Sequence, residues 1–221
     1  MSTLTAPESL FDAATRRDVV DLGRSFFERR LTFGRTGNLS VRVGDHALLT
    51  PTGGSLGALD PTQLSVIDAR TGSHLAGPKP SKEAFLHAAV YRARPNAGAV
   101  VHTHSTHSVA VSVLRDVDPA DVLPPLTAYY VMRVGRLPLL PYHAPGDDAL
   151  GPAAEEAART HHALLLSNHG PVVAGADLAS AADALEELEE TARLHLLLEG
   201  RATRPLTPEQ SDDLHRRFTS A

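Results

Sequence analysis

The sequence predicts an α/β fold on a mixed or antiparallel sheet, and three observations predict it. Segments of helical periodicity interleave with short apolar runs of strand character along the whole chain. The first two strand-like runs, NLSVRV and HALLT, are separated only by Gly44-Asp45, a hairpin turn that imposes antiparallel pairing. No internal repeat or long linker divides the 221 residues, a length that suits one domain, spanning 1–221, with a sizeable core.

The elements follow in order. A helix is expected over 7–30, with Pro7 at its first position and Val19, Leu22 and Phe26 at helical spacing. The hairpin comes next, with Leu39, Val41 and Val43 alternating along its first strand. PTGGSLGALDP reads as a loop. KPSKEAFLHAAVYRARP reads as a helix over 82–94, with Ser81 as N-cap and Pro95 as its stop. A strand then ends in His102 and His104, and a short helix over 106–114 follows with Ser105 as its cap. RLPLLPY is a further strand, 147–160 a helix, and ALLLSNHG a strand. In DLASAADALEELEETARLHLLLEG, Ala181, Leu185, Leu188, Ala192 and Leu196 share a face, Asp177 caps the start and Gly200 marks the end. The tail beyond Gly200 is polar and expected to be peripheral.

Composition narrows the function. The chain is 42% hydrophobic and 21% charged, as globular proteins are, and its formal net charge of −5 argues against nucleic acid as the main partner. It has no cysteine, so any metal must be held by imidazole and carboxylate. The N-terminal stretch MSTLTAPESLFDAATRRD lacks the charged and apolar pattern of a secretory signal. No stretch approaches the ~18 apolar residues of a membrane span. The expectation is a soluble cytoplasmic protein.

AGAVVHTHSTHS carries the main chemical signal. Residues two apart on a strand share a side, so His102 and His104 project together while Thr103 faces away. Two imidazoles so placed can share one ion, at roughly 2.0–2.1 Å for zinc. A third ligand is required, and His169 in LLLSNHGPVV also stands where an apolar strand breaks into a turn. Alone, a His-x-His pair also fits hydrogen-bonded histidines with no metal. Glu83, in the first turn of its helix, is the carboxylate best placed to join them, although an acid there also serves ordinary helix-start electrostatics. His87 lies one turn further on the same helical face, either behind the site or within the core. His107 reads as structural, and His161 and His162 as solvated residues at a helix end.

TGNLS, TPTGG and PSKE are rich in hydroxyls, glycine and backbone donors, and each lies at an element's end. If they converge they form an anion pocket with Asn38, Thr52, Ser81 and Lys82 as side-chain donors; otherwise they are three unrelated turns.

Together, GNLSVR, LLTPTGGSLGALDP, KPSKEAFLHAAVYRARPNAGAVVHTHSTHSVAVSVL, PLLPYHAPG, LLLSNHGPVVAG and ALEELEETARL resemble the class II aldolase/adducin family, in the family's order, from about residue 20 to 198. The resemblance implies a three-layer α/β/α fold with a largely antiparallel central sheet. It implies a divalent metal, usually zinc and one per subunit, on His102, His104 and His169, with Glu83 as acid/base and, without ligand, a further metal contact. It implies phosphate binding by Gly37, Asn38, Thr52, Gly53 and Ser81. It also implies a homotetramer with sites between subunits, to which a neighbouring chain lends a tyrosine matching Tyr129 or Tyr130, Tyr129 being preferred. TPTGGSLGALDP, KPSKE, YYVMRVGRLPLLPY and EELEETA look most like the family's bacterial decarboxylases of four-carbon 3-oxo acid phosphates. Lys82, where sugar-phosphate aldolases of the family have serine, is a departure from the aldolase pattern. A zinc aldolase or epimerase is the alternative activity, and a non-catalytic interaction domain, as in adducin, the alternative of another class.

Overall fold

The computed structural model describes residues 7–218; residues 1–6 of the N-terminal stretch read above lie outside it. Its centre is one eight-stranded sheet: β1 (Asn38–Val43), β2 (His46–Leu49), β3 (Ser65–Asp68), β4 (His74–Ala76), β5 (Ala99–His102), β6 (Leu139–Leu140), β7 (Ala163–Leu166) and β8 (Gly170–Gly175). The order is β4-β3-β2-β1-β5-β8-β7-β6, and every neighbouring pair is antiparallel except β6 and β7. The mixed, largely antiparallel sheet expected from the opening hairpin is therefore present.

The helices are α1 (Ala13–Glu28), α2 (Ala84–Ala93), α3 (Thr106–Ser112), α4 (Ala128–Arg133), α5 (Leu150–Ala158), α6 (Leu178–Leu197) and α7 (Pro208–Phe218). Alternate residues of the central strands feed two separate cores, as strand geometry requires. Leu39, Leu48, Val101, Leu165 and Val173 pack with α1, α3, α4 and α6 on one face. Leu49, Ile67, Val100, Leu164 and Val172 pack with α2 and α5 on the other. The result is the three-layer α/β/α arrangement.

Local chemistry moves several boundaries. The helix expected over 7–30 is two pieces, a 3-10 turn at Pro7–Leu10 and then α1, because Asp12 accepts from the Thr15 N–H at 2.8 Å and starts a new helix. RLPLLPY contributes only Leu139–Leu140 to the sheet edge, since Pro138 and Pro141 cannot donate to a ladder. The run ALLLSNHG ends as a strand at Leu166; Asn168 takes a left-handed φ of 56°, and the chain returns as β8, which was not anticipated because Gly170 and Pro171 open it. The strands β3 and β4 and the helices α4 and α7 are also additions to the expected order. Asp177 caps α6 as expected, in a capping box with Ser180, and Ala181, Leu185, Leu188 and Ala192 are buried along it. Ser105 caps no hydrogen bond of α3. Glu189 of α6 does so instead, accepting from the N–H groups of His107 and Ser108 at 2.9 Å each and from the His107 ring.

Candidate active site

The centre of the sheet assembles the site. β5 lies between β1 and β8, so His102 stands across from Asn38 on one side and Val172 on the other. His104 follows two residues beyond β5, and His169 closes the β7–β8 turn, where its N–H donates to Leu166 at 3.1 Å. The three rings meet edge to face, with centroids 4.6–5.1 Å apart. One nitrogen from each lies within 4.8 Å of the others.

This cluster fits a cation on its own chemistry. His102 is fully buried, and its Nδ1 hydrogen goes to the Pro171 carbonyl at 2.8 Å. That bond turns Nε2 toward the cluster, where it is buried without a hydrogen-bond partner. An orphaned buried nitrogen is costly unless something coordinates it. Burial, with His102 and His169 alongside, pushes the His104 imidazole down to about 3; burial and His102 push His169 down to about 4. Both rings are then neutral near pH 7, the state in which imidazole offers a lone pair to a metal.

Glu83 faces the same point. It is the N-cap of α2, which begins at Ala84 rather than at Lys82, so Ser81 is not the helix cap and Glu83 is not in the first turn; the Ser81 hydroxyl instead accepts from the Glu83 N–H at 3.3 Å in the turn ahead of the helix. Glu83 is 7% exposed, and its carboxylate lies 3.4 Å from His102 Nε2 and 3.3 Å from His169 Nε2. Burial raises its pKa, but His102, the Asn38 amide and His169 outweigh burial and hold it below the ordinary glutamate value.

The three segments read as a candidate anion pocket converge. Strand pairing sets Leu39 against Thr50, and an isolated bridge between Pro51 and Pro80 draws residues 50–54 to 79–82. They wall a cavity of about 360 Å³ that reaches His104, His169 and Glu83 and is lined by Gly37, Asn38, Thr52, Gly53, Ser81 and Lys82. Gly37 (φ 81°) must be glycine for a second reason, since a Cβ there would lie 2.8 Å from the His102 carbonyl. Asn38, expected as a phosphate donor, is only 4% exposed, and its amide is committed: Nδ2 donates to Glu83 at 2.7 Å and Oδ1 accepts from His87.

Sequence reasoning overlooked Arg35 and the Pro145–Gly146 turn, which also line this cavity. The cation adjoining TGNLS was the available signal for Arg35. Tyr129 is absent from the lining; it is 59% exposed on α4, with Arg133 stacked 5.5 Å from its ring. Tyr130 is buried, with its hydroxyl unpartnered, and burial lifts its pKa far above the phenol range. His107 is structural, as expected. His162 is not solvated, because its Nε2 donates to the Arg133 carbonyl at 2.7 Å. A larger groove of about 670 Å³ near Arg94, Arg133 and Arg159 contains none of the triad, and its arginines are already engaged by Ala158, Asp183 and Glu156.

Residues 17–196 match the model of the class II aldolase and adducin N-terminal domain. The chain is 49% identical over 207 residues to the 3-oxo-tetronate 4-phosphate decarboxylase of Haemophilus influenzae, covering 93% of this chain and 98% of that protein. It is 34% identical over 182 residues to the L-fuculose phosphate aldolase of Methanocaldococcus jannaschii, covering 82% and 96%. Among solved structures, YgbL of Escherichia coli superposes with a TM-score of 0.88 at 45% identity, over 91% of this chain and 98% of that one. With the family model matched over 17–196 and relatives of this identity over most of both chains, the chain belongs to the class II aldolase and adducin family.

Proposed function

We propose that the chain works as a single domain that decarboxylates 3-oxo-tetronate 4-phosphate to dihydroxyacetone phosphate and CO2, a carbon–carbon lyase step in the breakdown of four-carbon sugar acids. One observation supports this above the rest: three imidazoles and Glu83 converge on one end of a cavity walled by glycine turns, hydroxyls and two cations. The 49% identity to a decarboxylase, against 34% to an aldolase, favours loss of CO2 over loss of an aldehyde.

The substrate is a β-keto acid. When the C1–C2 bond breaks, CO2 departs and the electron pair passes to C2 and the C3 carbonyl, and a proton must then reach C2. A divalent cation held by His102, His104 and His169, with zinc as the proposed metal, supplies a Lewis acid for the negative charge that develops. Gly37, Thr52, Gly53, Ser81 and Lys82 bind the phosphate and fix the register of the chain of carbons, with one amide hydrogen of Asn38 remaining for a ligand. Arg35 and Lys82 provide two positive charges for a substrate with two anionic groups. Glu83, or a water hydrogen-bonded to it, delivers the proton to C2. Tyr129 is proposed to act from a neighbouring subunit of a homotetramer, as its exposure in the single chain allows. We assign the enzyme to the cytoplasm; no described helix is long and apolar enough to cross a membrane.

The test is direct. Purified protein is given 3-oxo-tetronate 4-phosphate, with CO2 and dihydroxyacetone phosphate followed separately, and in parallel dihydroxyacetone phosphate with an aldehyde. Release of both products only in the first arm is expected. Aldol product without CO2 release would establish the aldolase instead, and full activity after exhaustive chelation would end the metal reading.

A further inference from the structure

Behind Glu83 runs a buried line of hydrogen bonds that the reaction does not use directly. Glu83, His87 and Tyr91 are spaced four apart, on one face of α2 and the turn before it, while Asn38 and Ser40 share one face of β1. The two faces interlock. Asn38 Nδ2 donates to Glu83 Oε2 at 2.7 Å, so Asn38 Oδ1 must accept, and the hydrogen it accepts sits on His87 Nε2. His87 Nδ1 is then a lone pair that takes the Ser40 hydroxyl hydrogen at 2.6 Å. Ser40 Oγ in turn accepts from the Tyr91 hydroxyl at 2.7 Å. Every donor points the same way, from Tyr91 toward the carboxylate, an order in which successive bonds strengthen one another. His87 and Ser40 are fully buried, and Tyr91 is 2% exposed.

We propose that His87, held in one tautomer by Ser40 and Tyr91, is a positioning residue that aims the Glu83 carboxylate through Asn38 and is itself barred from the metal. The line cannot be a proton path. An amide stands in it, and Asn38 cannot hand on a proton from His87 without leaving its stable form. Its far end is a buried phenol rather than solvent. What it supplies is direction: Oε2 of Glu83 is anchored, and the carboxylate stays against His102 and His169. It also settles which histidines are available. Both ring nitrogens of His87 are engaged, so the fourth histidine of the neighbourhood offers no lone pair to an ion. The inference rests on the proposed role of Glu83, but its geometry can be tested without turnover.

Two variants of similar polarity separate the reach of the side chain from its bulk. In His87→Gln the amide reaches the Nε2 position and still donates to Asn38, whereas in His87→Asn it falls short. His87→Asn is expected to lower kcat for 3-oxo-tetronate 4-phosphate about 10–100-fold, with metal content unchanged. KM should stay within about threefold, and His87→Gln should recover kcat to within about threefold of the wild type. Equal kcat in the two variants, or a loss carried by KM or by metal content, would overturn the proposal. Ser40→Ala, a smaller change that frees the ring to flip, should lower kcat part of the way; if His87→Asn does not fold, an unchanged kcat in Ser40→Ala overturns it equally. Independently of activity, nitrogen-15 NMR of the histidine side chains should show His87 as the Nε2–H tautomer both in metal-free and in zinc-loaded protein. A response of His87 to zinc like that of His102 would refute the assignment. A wild type inert toward the keto acid phosphate would remove the functional reading and leave the NMR result standing.

Discussion

The carboxylate of Glu83 accepts from Asn38 on one oxygen and lies close to His102 and His169. Glutamine at this position keeps the size and the Asn38 contact but cannot carry a proton. Glu83→Gln should therefore lower kcat by about 10²–10⁴-fold, the usual worth of a positioned acid/base. Metal content, read by elemental analysis, should remain near that of the wild type, and unchanged turnover would remove the role assigned here. His87 gives a second, thermodynamic signature. Burial, with His102 nearby, pushes its imidazole from the ordinary 6.5 down to about 3. Between these values the unfolded chain binds a proton that the folded chain refuses, so stability is full above pH 6.5 and falls as the pH drops toward 3. From pH 7 to pH 5 the contribution of this one group is a loss of about 2 kcal/mol. Denaturant midpoints of metal-free protein at the two pH values give this loss together with those of His104 and His169, and His87→Asn should reduce the total by about 2 kcal/mol.

Elements set how accurately these side chains are presented. The turn between β7 and β8 carries His169, and the next residue, Gly170, has a φ of 156° and lies against the Thr103 carbonyl. A Cβ at Gly170 would lie 2.2 Å from that oxygen. The Thr103 backbone is tied to the same segment, its N–H donating to the Pro171 carbonyl at 3.3 Å. Gly170→Ala should cost about 1–3 kcal/mol in stability. It should also separate His104 from His169, which would appear as weakened zinc binding in a competition titration; wild-type affinity in the folded variant would show that the turn tolerates the strain. The β1–β2 hairpin, the α6 cap and the α2 face were legible in the sequence because each depends on residues a few positions apart. The edge strands β4 and β6, and β3 beside β4, were harder to read. They are two to four residues long, and pairing with a neighbour, rather than their own periodicity, holds them in the sheet. Glu189 illustrates the same limit, since the helix it caps lies more than eighty residues earlier in the chain.

In the whole molecule the histidine cluster and Glu83 tie together the centre of one sheet and the start of α2. A ligand that binds only this folded arrangement stabilises it by mass action, about 2.7 kcal/mol at a hundred times its dissociation constant. Zinc should raise the melting temperature of metal-free protein by several degrees, and His169→Ala should abolish most of that rise. Sedimentation is expected to give a tetramer, and loss of activity on dilution to monomers would accord with a tyrosine lent across the interface. Residue types and short spacings were enough to announce an α/β fold on a mixed or antiparallel sheet, the His-x-His pair and three turns rich in hydroxyls and glycine, because side-chain direction on strands and helices repeats every two or every three to four residues. They could not say that His169 lies beside His102, that Asn38 serves Glu83 and His87, or that Tyr129 stands apart from its own chain's cavity. Those facts come from strand order: β5 lies between β1 and β8, and contacts across forty-five or more residues are chosen by how the two cores pack, which no local window of sequence contains.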